Sequence, residues 1–184
     1  VSYELVLFTS MLIVAFMLML LERSAITGEC LTREMGKPYR ESNWEGGASA
    51  SAFRYYAEIS RHDQGRIAGP AIAGQMHMTL KEPLGTIVSI VPFNFPVLLF
   101  GWQAAGALAA GNAIIVKPSE LTSLTVLSIM PAFEHLPVGL VQVLTGGAEV
   151  GQLLVDRAVV RLVVGVGRLN HGSSRSGSCS PPGP

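Results

Sequence analysis

The stretch LGTIVSIVPFNFPVLLFGWQAAGALAAGNAIIVKPSE, residues 84–120, decides the fold. Gly85–Val91 is a short apolar run rich in Ile and Val, the composition of a strand buried on both faces. Asn94 and Pro96 break it. Leu98–Ala110 is Ala-rich and helical, and Gly111-Asn112 closes it. Ala113–Val116 is a second buried strand, followed by the loop Lys117-Pro118-Ser119-Glu120. A strand, a helix and a strand in succession form the unit of a parallel sheet, because parallel neighbours need a long crossover between them.

The alternation continues downstream. Leu124–Glu134 reads as a helix, Pro137–Gly139 as a turn and Val141–Leu144 as a third strand. Gly146-Gly147 opens a helix running to about Arg157, and Val159–Val164 is a fourth strand. The expected class is therefore α/β: a Rossmann-like parallel sheet flanked by helices. Upstream, LTREMGKP at 31–38 is a helix end, with Gly36 at the stop, a basic Lys37 and then Pro38. Residues 43–61 follow as a helix, with Ala48, Ala52, Tyr55, Tyr56 and Ile59 at near-helical spacing. Its Tyr pair reads as core packing in preference to a ligand surface. Gln75–Lys81 alternates, Met76, Met78 and Leu80 against His77, Thr79 and Lys81, as a half-exposed edge strand does. His77 on the polar face and His62 in the polar turn RHDQG read as solvated.

Composition narrows the class of function. The chain has 184 residues, 49% apolar and 14% charged, which excludes a disordered chain and a coiled coil. Lys plus Arg and Asp plus Glu are each 13, so no basic footprint for nucleic acid exists. Two cysteines make neither a disulfide framework nor a zinc site on their own. The ends differ from the middle. Leu5–Leu21 is 17 uncharged residues with only Thr9 and Ser10 polar, the bottom of the range for a membrane span. Without a basic leader or a small-residue exit, it does not look like a cleaved secretory signal. A membrane span and a helix buried on all sides both stay open. Residues 169–184 are Ser, Gly or Pro at 11 of 16 positions and should be disordered, with Cys179 an inert thiol inside them. The division is thus an apolar segment at 1–30, an α/β domain at 31–168 and a tail at 169–184.

In an open parallel sheet, ligands bind outside the carboxyl ends of the strands. Asn94, the 117–120 loop and Gly146-Gly147 fall on such ends. Across the fifty residues from Leu84 to Phe133, Lys117 and Glu120 are the only charges. They form either a loop ion pair or a ligand contact. Lys117 suits ribose hydroxyls or a phosphate, and Glu120 suits the 2′- and 3′-hydroxyls of a ribose. Gly147-Ala148-Glu149-Val150-Gly151 opens a helix whose free N–H groups suit a pyrophosphate. Its spacing is not G-x-G-x-x-G, and taken alone helix capping is the better reading there and at Gly165-Val166-Gly167.

Together these residues resemble the aldehyde dehydrogenase superfamily. EPLGTIVSIVPFNFP at 82–96 is similar to the family's first cofactor-domain strand and its Pro-aromatic-Asn-aromatic-Pro turn. ALAAGNAIIVKPSELTSLT at 107–125 resembles its Ala-Ala-Gly-Asn turn, strand and Lys-Pro-Ser-Glu loop. LPVGLVQVLTGGAEVG at 136–151 resembles the segment ending in a Gly-x-x-x-Gly helix start, and LTREMGKP and RYYAE match the region upstream. The resemblance covers about Leu31 to Val164. It implies an enzyme that oxidises an aldehyde to a carboxylic acid with NAD, NADP being the lesser choice. It also explains the missing G-x-G-x-x-G, since the family's cofactor domain departs from that pattern.

By the same resemblance, Asn94 would donate its amide to the oxyanion of a thiohemiacetal, a contact worth about 3 kcal/mol. Phe93, with Val91 and Pro92, would line the nicotinamide half. Lys117 and Glu120, in their loop with Pro118 and Ser119, would hold the adenosine ribose. Gly147 and Gly151 would let the helix start approach the pyrophosphate or adenine. The substrate would be an aldehyde, and homo-oligomers would form through a hairpin that includes residues 75–81. The completing strand of that hairpin is missing, so Met76 and Met78 would instead make a sticky edge. The expected location is cytoplasmic, with membrane association through residues 5–21 if that run spans.

The departures carry weight. Where the family continues into Phe-Thr-Gly-Ser, this chain reads VVGVGRLNHG. The family's nucleophilic Cys and general-base Glu lie further on, and Cys30 matches neither. The expectation is a truncated or interrupted member with an incomplete sheet, inactive as this chain. The alternative is a non-catalytic nucleotide-binding or interaction fragment, membrane-tethered in a third reading.

Overall fold

The computed structural model describes residues 23–60, 62, 65–69, 72–156 and 160–165. The apolar run 5–21, the 169–184 tail and Cys179 lie outside them. The described chain begins in a helix, α1, at residues 23–35. Gly36 stops it in the left-handed region (φ +77°), and its N–H donates to the Thr32 carbonyl at 3.0 Å. Helix α2, Tyr39–Ile59, starts directly after Pro38, with Glu41 in its first turn. Two short strands follow, β1 (Arg66–Ala68) and β2 (His77–Thr79). The βα units are β3 (Thr86–Ile90), α3 (Pro96–Ala109), β4 (Ala113–Lys117) and α4 (Ser123–Ile129), which runs into a 3₁₀ turn at Met130–Phe133. Then come β5 (Val141–Val143), α5 (Ala148–Asp156) and β6 (Val160–Gly165).

β3 to β6 form one parallel sheet in the order β5-β4-β3-β6. Ile87, Val88 and Ser89 of β3 are buried, as a strand between two others requires. Register runs Ile87 against Ile114 and Ile90 against Lys117 on one side, and Ile87 against Leu162 on the other. The chain leaves β3 toward β4 and β5, then crosses back through α5 to β6 on the opposite side of β3. That reversal beside β3 is where an open α/β sheet presents its crevice. The parallel sheet flanked by helices is thus as expected.

Helix α3 packs on β3 and β4, and α2 packs across α3. The fully buried Phe100 and Phe53 both meet Phe133 edge-on, at centroid distances of 5.5 and 6.2 Å. Asn112 ties the turn together. Its Oδ1 accepts from the Gly85 N–H at 2.9 Å and its Nδ2 donates to the Ala107 carbonyl at 3.2 Å.

Several boundaries and faces differ from the sequence expectation. α2 starts at Tyr39 rather than 43, with Pro38 in the N-cap place and its carbonyl accepting from the Glu41 and Ser42 N–H groups. Its buried face is Ser42, Glu45, Gly46, Ser49, Ala50, Phe53 and Ala57, while Tyr55 and Ile59 are exposed. The helices cross too closely for large side chains. A Cβ on Gly28 would lie 2.9 Å from Asn43 Cα, and one on Gly101 would lie 2.8 Å from Ser49 Cβ. Small residues therefore mark this interface, and apolar periodicity misses them. β2 is exposed on both faces, not half-buried, because among the described residues it pairs only with β1, as an antiparallel ribbon. The helix expected to Glu134 tightens at Met130, where Pro131 withdraws a donor. Lys117 ends β4 rather than opening the loop.

Two glycines separate crowding from chain entropy. Gly101→Val should destabilise the fold by about 2–3 kcal/mol, because its new atoms meet the α2 backbone. Gly47→Ala, on α2 with open space at its Cβ, should stabilise by about 0.5–1 kcal/mol. Urea unfolding of both variants beside the parent chain measures the two signs.

Candidate functional site

The carboxyl ends of β3 and β4 bring most of the expected residues together. The Val91 N–H donates to the Lys117 carbonyl at 3.0 Å, which extends the β3–β4 ladder by one bond beyond Ile90. Val91 is buried, Pro92 half-buried, and Phe93 and Asn94 are exposed on the loop that leads into α3. The Asn94 side chain makes no hydrogen bond among the described residues.

Lys117 is 4% exposed. Its Nζ donates to the Pro118 carbonyl at 3.2 Å, and among the described residues no carboxylate pairs with it. A buried ammonium has three donors, and one is satisfied here. Gly151 on α5 faces its stem: a Cβ there would lie 3.5 Å from Lys117 Cδ and 3.8 Å from Ile90 Cδ1. A single added carbon at 151 would thus make ordinary contact with the lysine stem. Glu120 is exposed and does not reach Lys117, so the two are not a loop ion pair. Pro118 is buried and Ser119 half-buried. Ser119 shapes the turn, its carbonyl accepting from the Thr122 N–H at 3.1 Å and the Ser123 Oγ at 3.0 Å.

The start of α5 differs from expectation in one respect. The Gly147 N–H is not free, because it donates to Glu149 Oε1 at 3.1 Å. A carboxylate oxygen thus occupies the place that an anionic ligand would take. Gly146 is required there, since a Cβ would collide with the Val150 side chain.

Three charged residues that sequence reasoning passed over hold these loops. Lys37 and Glu45 form a buried ion pair, Nζ to Oε1 2.5 Å, with side chains 6% and 0% exposed. Lys37 Nζ also donates to the Asn94 carbonyl at 3.0 Å and lies 3.5 Å from the Phe95 ring centroid. Glu45 Oε2 accepts from the Val97 and Leu98 N–H groups, 3.2 Å each, at the start of α3. Glu34 accepts from the Leu124 and Thr125 N–H groups at 2.8 and 2.7 Å, and from the Thr125 hydroxyl, at the start of α4. The one available signal was Glu45 itself, a charge inside a run of small residues on a helix packed on both sides.

Toward a dinucleotide, Lys117 has donors without a partner among the described residues and Glu120 has an exposed carboxylate, whereas the Gly147 N–H is taken by Glu149. Among the described residues no helix is long and apolar enough to cross a membrane.

Comparison with known proteins gives the family and the fold. The model of the aldehyde dehydrogenase family matches residues 11–175. A mitochondrial succinate-semialdehyde dehydrogenase of Arabidopsis thaliana is 34% identical over 157 residues, covering 84% of this chain and 30% of that protein. The crystal structure of Staphylococcus aureus betaine aldehyde dehydrogenase in complex with NAD⁺ superposes with a TM-score of 0.82 at 27% identity, over 86% of this chain and 32% of that one. An NADP-dependent enzyme of E. coli gives a TM-score of 0.82 at 28% identity, over 85% and 33%. The chain spans about a third of the length of the relatives it matches. With its parallel sheet, its loops at the β3 and β4 ends and a family match over nearly all of its residues, the chain belongs to the aldehyde dehydrogenase family.

Proposed function

We propose that this chain holds NAD at the carboxyl ends of β3 and β4, as the cofactor-binding part of an enzyme that oxidises an aldehyde to a carboxylic acid. The observation that carries this reading is Lys117, a buried ammonium with one hydrogen bond and no carboxylate partner among the described residues. Burying a charge without a counter-charge is costly, and a ligand rich in hydroxyl and phosphate oxygens relieves the cost. Lys117 donates to the ribose or phosphate oxygens. Glu120 accepts from the ribose hydroxyls. Gly151 lies beside the Lys117 stem at the same strand end. Glu149 turns away from the Gly147 N–H to admit a phosphate oxygen there. Asn94, on the loop after β3, donates its amide to the oxyanion of the substrate's thiohemiacetal. When bound, NAD supplies the acceptor for the hydride that leaves the aldehyde carbon. The ribbon β1–β2, with Ile67, Met76, Met78 and Leu80 exposed, supports self-association along its edge.

Two outcomes follow for a polypeptide of this sequence. In calorimetric titrations it should bind NAD more tightly than NADP, because Glu120 faces the 2′-position and would repel a phosphate there. Glu120→Ser should narrow the ratio, and Lys117→Met should weaken NAD about tenfold or more, the value of a charge-assisted hydrogen bond. Equal binding of both cofactors by the parent chain, or an unchanged ratio in Glu120→Ser, would contradict the assignment. The second outcome concerns turnover. Covalent catalysis needs an activated thiolate, and Cys30 is half-buried on α1 without a basic partner among the described residues. NADH formation with a panel of aldehydes should stay at background. Robust turnover that disappears in Cys30→Ser or Cys179→Ser would overturn this point.

A further inference from the structure

The helices that leave the two site loops share a feature: each takes its N-terminal acceptor from a carboxylate on a distant helix, because its own N-cap residue supplies none. α3 follows Phe95, which has no polar side chain, and Pro96 opens it. α4 follows Thr122, whose hydroxyl makes no cap bond and is buried without a partner. In each case a carboxylate from the N-terminal helices supplies the missing acceptor. Glu45 Oε2 takes the Val97 and Leu98 N–H groups of α3, 3.2 Å each. Glu34 takes the Leu124 and Thr125 N–H groups of α4, at 2.8 and 2.7 Å. The ion pair adds a direct hold on the first loop, through Lys37 Nζ on the Asn94 carbonyl at 3.0 Å.

We propose that these are two separate positioning devices, one for each half of the cofactor. Glu34 fixes the loop that carries Lys117 and Glu120, and so the adenosine half. Lys37 with Glu45 fixes the loop from Val91 to Phe95, and so the nicotinamide half. The inference rests on the NAD reading above. Its physical basis is that a helix start with unsatisfied donors frays, and the fraying spreads into the loop that precedes it. The two devices act on different helices and share no hydrogen bond. Loss of one should therefore leave the other half of the site in place.

The test uses the full chain and three probes: NAD, AMP and nicotinamide mononucleotide. Saturation-transfer NMR on bound NAD reads the adenine and nicotinamide protons separately, and titrations give the two half-ligand affinities. Glu34→Gln should weaken AMP about fivefold and lower the adenine signal, with nicotinamide mononucleotide within about twofold of the parent. Lys37→Met should do the reverse. Lys37→Arg, which keeps the charge but not the geometry of the ammonium, replaces it if Lys37→Met fails to fold. Thermal melting of each variant checks that it is folded. A purely structural role would move both halves together. Parallel loss of both halves, or no loss in a folded variant, overturns the separate positioning while leaving the NAD reading intact. Failure of the parent chain to bind any of the three probes overturns both.

Discussion

The buried pair of Lys37 and Glu45 is the contact on which the rest of this structure depends. Glu45 is fully enclosed, and its two oxygens serve different elements: one holds the lysine, the other the first N–H groups of α3. The lysine in turn reaches the loop after β3. Removing either partner would strand a charge in a dry interior, a loss of about 3–5 kcal/mol in comparable pairs. An apolar replacement of both could match the stability. It could not cap α3 or hold a carbonyl in the loop. The pair thus contributes placement more than stability.

From that point the architecture reads outward in layers. α3 is pinned at its start by Glu45 and at its end by Asn112, so it lies fixed over β3 and β4. Ser49 and Gly101 bring α2 close against it. Phe53, Phe100 and Phe133 fill the space between the helices with edge-on ring contacts. The strand ends, and the loops they deliver, are consequently set by packing several residues away from any ligand.

The sheet was legible in the sequence because its strands are buried on both faces. Runs such as Thr86–Ile90 and Ala113–Lys117 have no polar side to confuse the reading, and Gly111-Asn112 marks the turn between them. Among the candidate site residues, Lys117 and Gly151 stand out in the sequence as a charge and a glycine in apolar surroundings, whereas Val91 came only through the family resemblance. The buried face of α2 was not. Serine and glycine at a close helix crossing look the same in sequence as serine and glycine facing water. Lys37 was hidden for a related reason, since it follows a helix stop, where a solvated charge is ordinary, and Glu45 stood out only as a charge among small residues mid-helix. β1, three residues long and exposed throughout, carries no pattern at all.

The remote caps also fix an order of events as the polypeptide emerges from the ribosome. Glu34 is made 91 residues before Thr125, and Glu45 is made 53 before Leu98. Each carboxylate must wait, hydrated, until its helix exists. Closing the longer loop costs only slightly more entropy than closing the shorter one, because the cost grows as the logarithm of length. What separates the two closures is arrival time: at about 5–20 residues per second, α3 can dock seconds before α4. The start of α3 therefore meets its waiting acceptor earlier in synthesis than the start of α4 does.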